Sequence, residues 1–230
     1  MARMARLYLP GCPHHLIQRG NNRTPCFHHQ ADYRFYLKHL EAAAKRHGVA
    51  IHAFVLMTNH VHMLLTPVDA GACGEMMQSM GRRYVRHFND RYSRTGTLWE
   101  GRYKSTLVDS DAYFFTVSRY IELNPVRANM VQNPAGYYWS SYRSNALGYP
   151  STLLVPHDLY LVLGHSAGAR QKRYRDLFDH QIDPGLLEDL RHATNHDWVF
   201  GTAHFKREIS ATVNRRPCSY GWGGNRRSGQ

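Results

Sequence analysis

The amino-acid sequence predicts an α+β fold in which helices flank an antiparallel β-sheet and a helical extension follows at the C-terminal end. Runs of strand-forming residues alternate with longer segments of helical periodicity. Two of these runs are joined by the short turn Thr58-Asn59, which favours a hairpin and therefore antiparallel pairing. Beyond Pro150 the pattern changes to short helical segments, which indicates an extension rather than a second full domain.

The elements of the first 150 residues follow from periodicity and from residues that end helices. We predict strands at residues 14–19, 49–57, 60–65 and 102–108, and helices at residues 32–47, 71–92 and 111–124. Gly48 suits the C-terminal cap of the first helix, and Pro125 ends the third because its ring prevents continuation. The methionine-rich side of the second helix is assigned to the core, since such stripes are usually packing surfaces.

The chain divides into a core domain at residues 1–150, a helical extension at residues 151–205 and a basic tail at residues 206–230. The extension is predicted to hold helices at residues 157–165, 169–180 and 184–193. The tail is rich in arginine and glycine, a composition that favours a flexible segment. We expect it to be either a nucleic-acid-binding arm or a solvated end.

Composition indicates a globular protein with a polyanionic partner. Of the 230 residues 43% are hydrophobic, which is enough for a core and argues against global disorder. The net charge of +12 favours binding to nucleic acid, with a basic but inert surface as the alternative. The four scattered cysteines argue against a disulfide framework. The sequence shows neither a signal peptide nor a membrane span, so we expect no membrane partner and a cytoplasmic location.

The most informative motif is the pair His60 and His62 within a predicted strand. Side chains two residues apart in a strand point to the same face, with Cα atoms roughly 6.6–7 Å apart, so both imidazoles can bind one cation. Apolar residues flank the pair, and burying two unpartnered imidazoles would be costly, which favours a ligand or hydrogen-bonding role. Tyr120 and Asn124 lie one turn apart on a predicted helix and therefore on one face.

Together these four side chains offer two nitrogen ligands, an amide oxygen and a phenol. Such ligands suit Mn²⁺ and permit Mg²⁺. A cation that polarises a phosphate, beside a phenol that attacks it, can cut a nucleic-acid strand. Glu122 is close to Tyr120 in sequence but points about 200° around the helix, so we do not expect it to be the general base. The sequence does not identify that base.

Four sequence blocks resemble the HUH single-tyrosine transposases, and in particular the branch called REP-associated tyrosine transposases. The blocks are Gly20-Asn21-Asn22-Arg23, Met57-Thr58-Asn59-His60-Val61-His62, residues 98–104 (LWEGRYK) and residues 119–128 (RYIELNPVRA). The resemblance covers residues 8–145, and four blocks in the family's order make it specific. Residues 190–209 are similar, more weakly, to the C-terminal extension of some relatives.

The resemblance implies a ferredoxin-like HUH nuclease core over residues 1–150. It implies that His60 and His62 are metal ligands, that Tyr120 is the nucleophile and that Asn124 occupies the third-ligand position. The insertion-sequence branch more often carries glutamine at that position, and both amides offer a carbonyl oxygen. The implied cofactor is Mg²⁺ or Mn²⁺. The implied partner is single-stranded hairpin DNA from short palindromic repeats of a bacterial genome, cut and rejoined through a 5′-phosphotyrosine.

Basic residues within or beside the blocks are candidate contacts to DNA phosphates or bases. They are Arg19, Arg23, Arg102, Lys104, Arg119 and Arg127. Arg82 and Arg83 form a basic side of the predicted helix at residues 71–92, which is either a further DNA contact or a solvated face. If the protein acts on genomic repeats, it would associate with the nucleoid. The sequence leaves the choice between monomer and homodimer open.

Two other functions stay open at this point. One is a protein of the same fold that binds repeat hairpins without cutting them, although such a protein has no need of all four site residues. The other is a metal-dependent hydrolase that uses activated water, against which the absence of a carboxylate cluster argues. A covalent protein–DNA adduct distinguishes the transposase from both, because neither alternative forms one.

Overall fold

A computed structural model describes residues 7–213 of the chain. The strands in this range are β1 (His14–Arg19), β2 (Val49–Leu56), β3 (His60–Pro67) and β4 (Lys104–Leu107). The α-helices are α1 (Gln30–Arg46), α2 (Ala72–Arg91), α3 (Ser110–Glu122), α4 (Asn124–Arg127), α5 (Tyr142–Leu147), α6 (Asp158–Leu161), α7 (Ala167–Asp176), α8 (Pro184–Asn195) and α9 (Ala203–Thr212). Short 3-10 helices lie at Asn21–Arg23, Pro134–Gly136 and Leu177–Asp179.

The strands form one antiparallel sheet in the order β2-β3-β1-β4. β2 and β3 are the predicted hairpin, and Leu56 pairs with Val61 beside its turn. β3 lies between β2 and β1, and its register places His62 opposite Ile17 of β1. The predicted α+β fold, an antiparallel sheet flanked by helices, is confirmed.

Side chains that alternate along β3 pack into two layers. Val61, Met63 and Leu65 face α1 and α2, in the larger part of the core. His62 and Leu64 face the opposite side of the sheet, which is covered by α3 and α8. The histidine pair therefore lies on the side of the sheet that these two helices enclose.

The C-terminal extension packs onto the core domain. The backbone amide of Phe200 donates to the carbonyl of Leu107 at 2.8 Å, and Ile209 of α9 is buried in a cluster with Leu107. The structure differs from the predicted flexible tail over residues 206–212, which are helical because α9 has an apolar side to bury. The remaining residues of that predicted tail, 214–230, lie outside the described range.

Two further observations concern residues 7–213. No helix in this range is both long enough and apolar enough to cross a bilayer. Cys12, Cys26 and Cys73 are free thiols, and the latter two are buried.

Candidate functional site

One cavity of about 520 Å³ brings the four predicted site residues together. His60 and His62 line it from β3, Tyr120 from α3 and Asn124 from the first residue of α4. The rest of its lining consists of Ile17, Arg19, Arg23, Glu100, Lys104, Arg191, Thr194 and Asn195. The packing of α3 on the sheet therefore joins two motifs that are far apart in sequence.

Hydrogen bonds to Asn59 fix which ring nitrogen of His60 carries the hydrogen. The Asn59 Nδ2 group donates to the carbonyl of Arg23 at 2.9 Å, so its Oδ1 is the atom 2.6 Å from His60 Nδ1. An amide oxygen can only accept, and His60 Nδ1 is therefore the protonated nitrogen. Its Nε2 keeps the lone pair that a metal ligand requires.

His62 is 3% exposed, and its ring centroid lies 5.0 Å from that of His60. Its Nδ1 lies 2.9 Å from Nε2 of His15, on the neighbouring strand β1. Among the described residues nothing hydrogen-bonds the Nε2 of either His60 or His62. Each histidine of the pair thus has one nitrogen held by the protein and one available.

Burial keeps both imidazoles of the pair neutral. Burial lowers the pKa of His60 to about 4, and the Arg19 cation acts in the same direction. Burial likewise holds the pKa of His62 well below its ordinary value, with further lowering from the neighbouring imidazoles and from Arg127. Both rings are neutral at pH 7, which is the form that binds a metal ion.

Tyr120 lies beside the histidine pair with its hydroxyl available. The side chain is 8% exposed, and its ring centroid is 5.8 Å from that of His62 at an interplanar angle of 71°. Within residues 7–213 neither the Tyr120 hydroxyl nor the Asn124 side-chain amide forms a hydrogen bond. Both groups are therefore free to contact a bound molecule.

Arg127 holds Tyr120 from the side. Its guanidinium lies 4.1 Å from the centroid of the Tyr120 ring, and its Nη2 donates to the Tyr120 carbonyl at 2.6 Å. Burial lowers the pKa of Arg127, and the charge interaction with Tyr120 opposes this lowering. A cation at this distance fixes the ring by a cation–π contact.

The structure separates the predicted DNA-contacting residues into two groups. Arg19, Arg23 and Lys104 line the cavity, and Arg102 lines an adjoining cavity of about 330 Å³. The others do not line either cavity: Arg82 and Arg83 are exposed on α2 across the sheet, Arg119 donates to the carbonyl of His180, and Arg127 contacts Tyr120.

Several residues that line the cavity or support the histidine pair were not predicted from the sequence. Glu100 supplies a carboxylate to the lining, and α8 supplies Arg191, Thr194 and Asn195. His15 on β1 hydrogen-bonds the Nδ1 of His62. The only available signal for His15 was its place in a predicted strand, and the signal for α8 was the weak resemblance of residues 190–209 to the extension of some relatives. Lys104 Nζ donates to Asn195 Oδ1 at 2.8 Å, which ties α8 to the core beside the cavity.

Glu122 points away from the site, as the helical geometry predicts. It is fully buried, and its carboxylate accepts hydrogen bonds from Ser141 at 2.5 Å, Asn145 at 3.0 Å and Tyr174 at 3.0 Å. Burial raises the pKa of Glu122 to about 7, while these three donors oppose the shift. Its role is to join α3 to α5 and α7.

The fold and the cavity together define an HUH-type α+β protein, with a histidine pair on an interior strand and a tyrosine on the helix packed against it. Residues 9–124 match the family model described as transposase IS200 like. The chain belongs to this family of HUH single-tyrosine transposases, which makes it a DNA transposase by family. The match ends at Asn124, so α8 lies beyond it.

One solved structure shares the fold at low sequence identity, and a second is less similar. A REP-associated tyrosine transposase bound to a REP hairpin has a TM-score of 0.52 and 16% identity, over 68% of this chain and 93% of that chain. A Deinococcus radiodurans R1 protein, described as a proposed transposase, has a TM-score of 0.37 and 19% identity, over 53% of this chain and 96% of that chain. No curated protein matches the chain significantly.

Proposed function

We propose that this transposase cleaves and rejoins single-stranded DNA at hairpin repeats through a 5′-phosphotyrosine intermediate on Tyr120. The observation that carries the proposal is the convergence of His60, His62, Tyr120 and Asn124 in one cavity lined by basic side chains. The two imidazoles are neutral with Nε2 unbonded, and among the described residues the Tyr120 hydroxyl and the Asn124 side-chain amide have no hydrogen-bond partner. Sequence and packing therefore support the same chemistry.

The residues present fit a divalent cation. His60 and His62 each have a neutral ring with Nε2 available, and Asn124 offers an amide oxygen in the same cavity. Residues 7–213 contain no group of three His, Cys, Asp or Glu side chains placed to hold a metal. The third protein ligand would be Asn124, which lines the cavity beside the histidine pair. Two imidazoles and one amide oxygen suit Mn²⁺ or Mg²⁺. When bound, such a cation would neutralise charge on a non-bridging phosphate oxygen.

Tyr120 performs the covalent step. Its hydroxyl oxygen attacks the scissile phosphorus while the bond from phosphorus to the 3′ oxygen breaks. The phenol proton is lost to solvent or to a base, and the 3′ oxygen leaves as a hydroxyl after taking up a proton. The 5′ end of the DNA stays on Tyr120, and another 3′ hydroxyl can reverse the step. Arg127 holds the Tyr120 ring in place during the attack through its cation–π contact and its hydrogen bond to the Tyr120 carbonyl.

The lining of the cavity supports a nucleic-acid substrate. Arg19, Arg23, Lys104 and Arg191 surround the four site residues, and the whole chain carries a net charge of +12. Side chains of this kind bind phosphates and release counterions. The solved structure with the same fold holds a REP hairpin, which supports hairpin DNA as the substrate and the REP-associated branch as the place of this chain in the family.

Metal removal tests the proposed function. Wild-type protein mixed with a labelled single-stranded REP hairpin and Mn²⁺ or Mg²⁺ should form an adduct that survives denaturing electrophoresis. Excess EDTA should reduce the adduct by at least about 100-fold, because the cation that would neutralise a non-bridging oxygen of the attacked phosphate is then removed. Tight hairpin binding without an adduct under any metal condition would support a non-cleaving binding protein. Free DNA ends without an adduct would indicate hydrolysis by activated water.

Arg191 tests the placement of DNA in the cavity. Replacing Arg191 by alanine should reduce the slope of log binding constant against log salt by about 0.7, the value for one phosphate contact on single-stranded DNA. Arg82→Ala is the matched control, since it removes an exposed arginine from α2 on the other side of the sheet. Fluorescence anisotropy over a salt series measures both slopes. Equal slopes for the two variants would contradict binding of DNA at this cavity.

A further inference from the structure

Three hydrogen bonds run in series from His62 into α8. His62 Nδ1 lies 2.9 Å from His15 Nε2, and His15 Nδ1 lies 3.3 Å from the hydroxyl oxygen of Thr194. The Thr194 hydroxyl donates to the carbonyl of Leu190 at 2.7 Å. His15 is 0% exposed and Thr194 is 2% exposed, so these groups cannot exchange their partners for bulk water.

The series has only one consistent direction. The carbonyl of Leu190 can only accept, so the single hydroxyl hydrogen of Thr194 is used there and the hydroxyl oxygen must accept from His15. His15 Nδ1 is therefore protonated. A second hydrogen, on its Nε2, would create a buried cation without a carboxylate partner among the described residues, which is costly. His15 Nε2 is therefore an acceptor.

His62 Nδ1 must then be the donor to His15, and His62 Nε2 keeps its lone pair. We propose that His15 and Thr194 are positioning residues that hold His62 in the tautomer whose Nε2 binds the divalent cation. This inference rests on the proposed function, since it takes His62 to be a metal ligand. Neither His15 nor Thr194 is itself a ligand. Partners of this kind commonly change metal affinity by about 10–100-fold.

Through Thr194, the C-terminal extension contributes to the metal site. Thr194 belongs to α8, which lies beyond the residues 9–124 that match the family model. Two bonds hold α8 and the residues after it against β4: Lys104 Nζ donates to Asn195 Oδ1 at 2.8 Å, and the Ser105 amide donates to Asp197 Oδ1 at 3.0 Å. These bonds keep the Thr194 hydroxyl in place beside His15.

Mn²⁺ affinity of the full chain, measured by titration calorimetry, is the first test. His15→Phe should weaken Mn²⁺ binding by about 10–100-fold. His15→Gln should restore most of the affinity, because an amide offers an acceptor to His62 and a donor to Thr194. Thr194→Val should weaken binding less than His15→Phe, and Thr194→Ser should bind as the wild type does.

Ser118→Ala is the matched control for Thr194→Val. The buried hydroxyl of Ser118 also donates to the carbonyl four residues earlier, that of Phe114 at 2.9 Å, but within residues 7–213 it forms no hydrogen bond with a histidine. Mn²⁺ affinity should be unchanged in this variant. Equal losses in Ser118→Ala and Thr194→Val would overturn the inference, because the effect would then be general loosening of the fold.

The tautomer itself is the second readout. In metal-free protein, proton–nitrogen correlation spectra of the imidazoles should show the hydrogen of His62 on Nδ1, and His15→Phe should move it to Nε2. A merely structural role of His15 would not move that signal. If His15→Phe keeps both the Nδ1 hydrogen and wild-type affinity, the inference is wrong. If His15→Phe does not fold, Thr194→Val decides by the same two readouts.

The failure of the proposed function has a different signature. If the wild type shows His62 with its hydrogen on Nδ1 but binds no Mn²⁺, the metal site is wrong and with it the claim that His15 and Thr194 serve metal binding. If the wild type binds Mn²⁺ and His62→Ala does not, the metal site stands, and only the variants of His15 and Thr194 bear on the inference.

Discussion

Replacing Tyr120 by phenylalanine is expected to abolish the covalent protein–DNA adduct and to leave hairpin binding intact. The change removes only the hydroxyl, while the ring keeps its contacts with His62 and with the Arg127 guanidinium. The hydroxyl forms no hydrogen bond with the described residues, so its loss should cost little stability. Removal of a nucleophile lowers the rate by on the order of 10³-fold or more. Denaturing electrophoresis measures the adduct, and fluorescence anisotropy measures binding.

Tyr113→Phe is the matched control for Tyr120→Phe. Tyr113 lies on the same helix but packs against Phe200, outside the cavity that holds the histidine pair. Its variant should form the adduct at the wild-type rate. An adduct that persists in Tyr120→Phe would show that another residue is the nucleophile. Loss of the adduct in both variants would show that the helix, not the Tyr120 hydroxyl, is what the substitution disturbs.

Acidification from pH 8 to pH 5 is expected to lower the free energy of unfolding of the metal-free protein by several kcal/mol. Burial lowers the pKa of His14 to about 4, of His15 to about 3 and of His52 to about 4. These imidazoles stay neutral in the folded protein at pH 5, whereas an unfolded chain binds a proton at each of them below about pH 6.5. Each of these three histidines therefore lowers the free energy of unfolding by about 2 kcal/mol between pH 8 and pH 5.

The direction of this pH effect follows from the number of protons that the folded and unfolded states bind. A histidine whose folded pKa is depressed contributes its full stability above pH 6.5, and the contribution is lost as the pH falls toward the folded value. Glu122 acts in the opposite direction, because its pKa is raised to about 7 and its protonation on acidification favours the folded state. It offsets about one histidine, so the net loss from the four groups should be at least about 3 kcal/mol, a large part of a typical stability.

Urea unfolding followed by circular dichroism between pH 5 and pH 8, with EDTA present, measures this loss. His52→Gln should reduce the change of the unfolding free energy with pH, since it removes one buried imidazole that hydrogen-bonds the carbonyl of Val155. His204→Gln is the matched control: its side chain is 74% exposed, and the dependence should not change. A stability that is constant across this range would contradict the neutral, buried state of these histidines.

Local patterns were sufficient to predict much of the fold. The alternation around His62 and the turn at Thr58-Asn59 predicted the hairpin, and Pro125 predicted the end of the third helix. These signals lie within a few residues of the structure they describe, so one sequence suffices to identify them. The prediction of a flexible segment at residues 206–212 was wrong, because the composition of the whole tail, rich in arginine and glycine, outweighs the apolar side of α9. That side is buried only by packing of the extension against Leu107 of the core domain.

The structure places some of the predicted site residues around one cavity and others away from it. The structure brings His60, His62, Tyr120 and Asn124 together, as spacing and family resemblance suggested. It separates Arg82 and Arg83 from the cavity, and it turns Arg119 and Arg127 to internal partners. Charge in the sequence identifies candidates for DNA contact, but the choice between them depends on which face each helix turns to the sheet.

The sequence by itself determined the class of fold and the basic character of the protein, and it singled out His60, His62, Tyr120 and Asn124 as candidate site residues. Only the tertiary structure decided which residues hydrogen-bond and position those side chains. The bond between His15 and Thr194 joins residues 179 positions apart, on β1 and α8, and no local pattern encodes it. Periodicity reports which face of an element is buried, whereas a hydrogen bond between distant elements depends on how the finished fold packs them together.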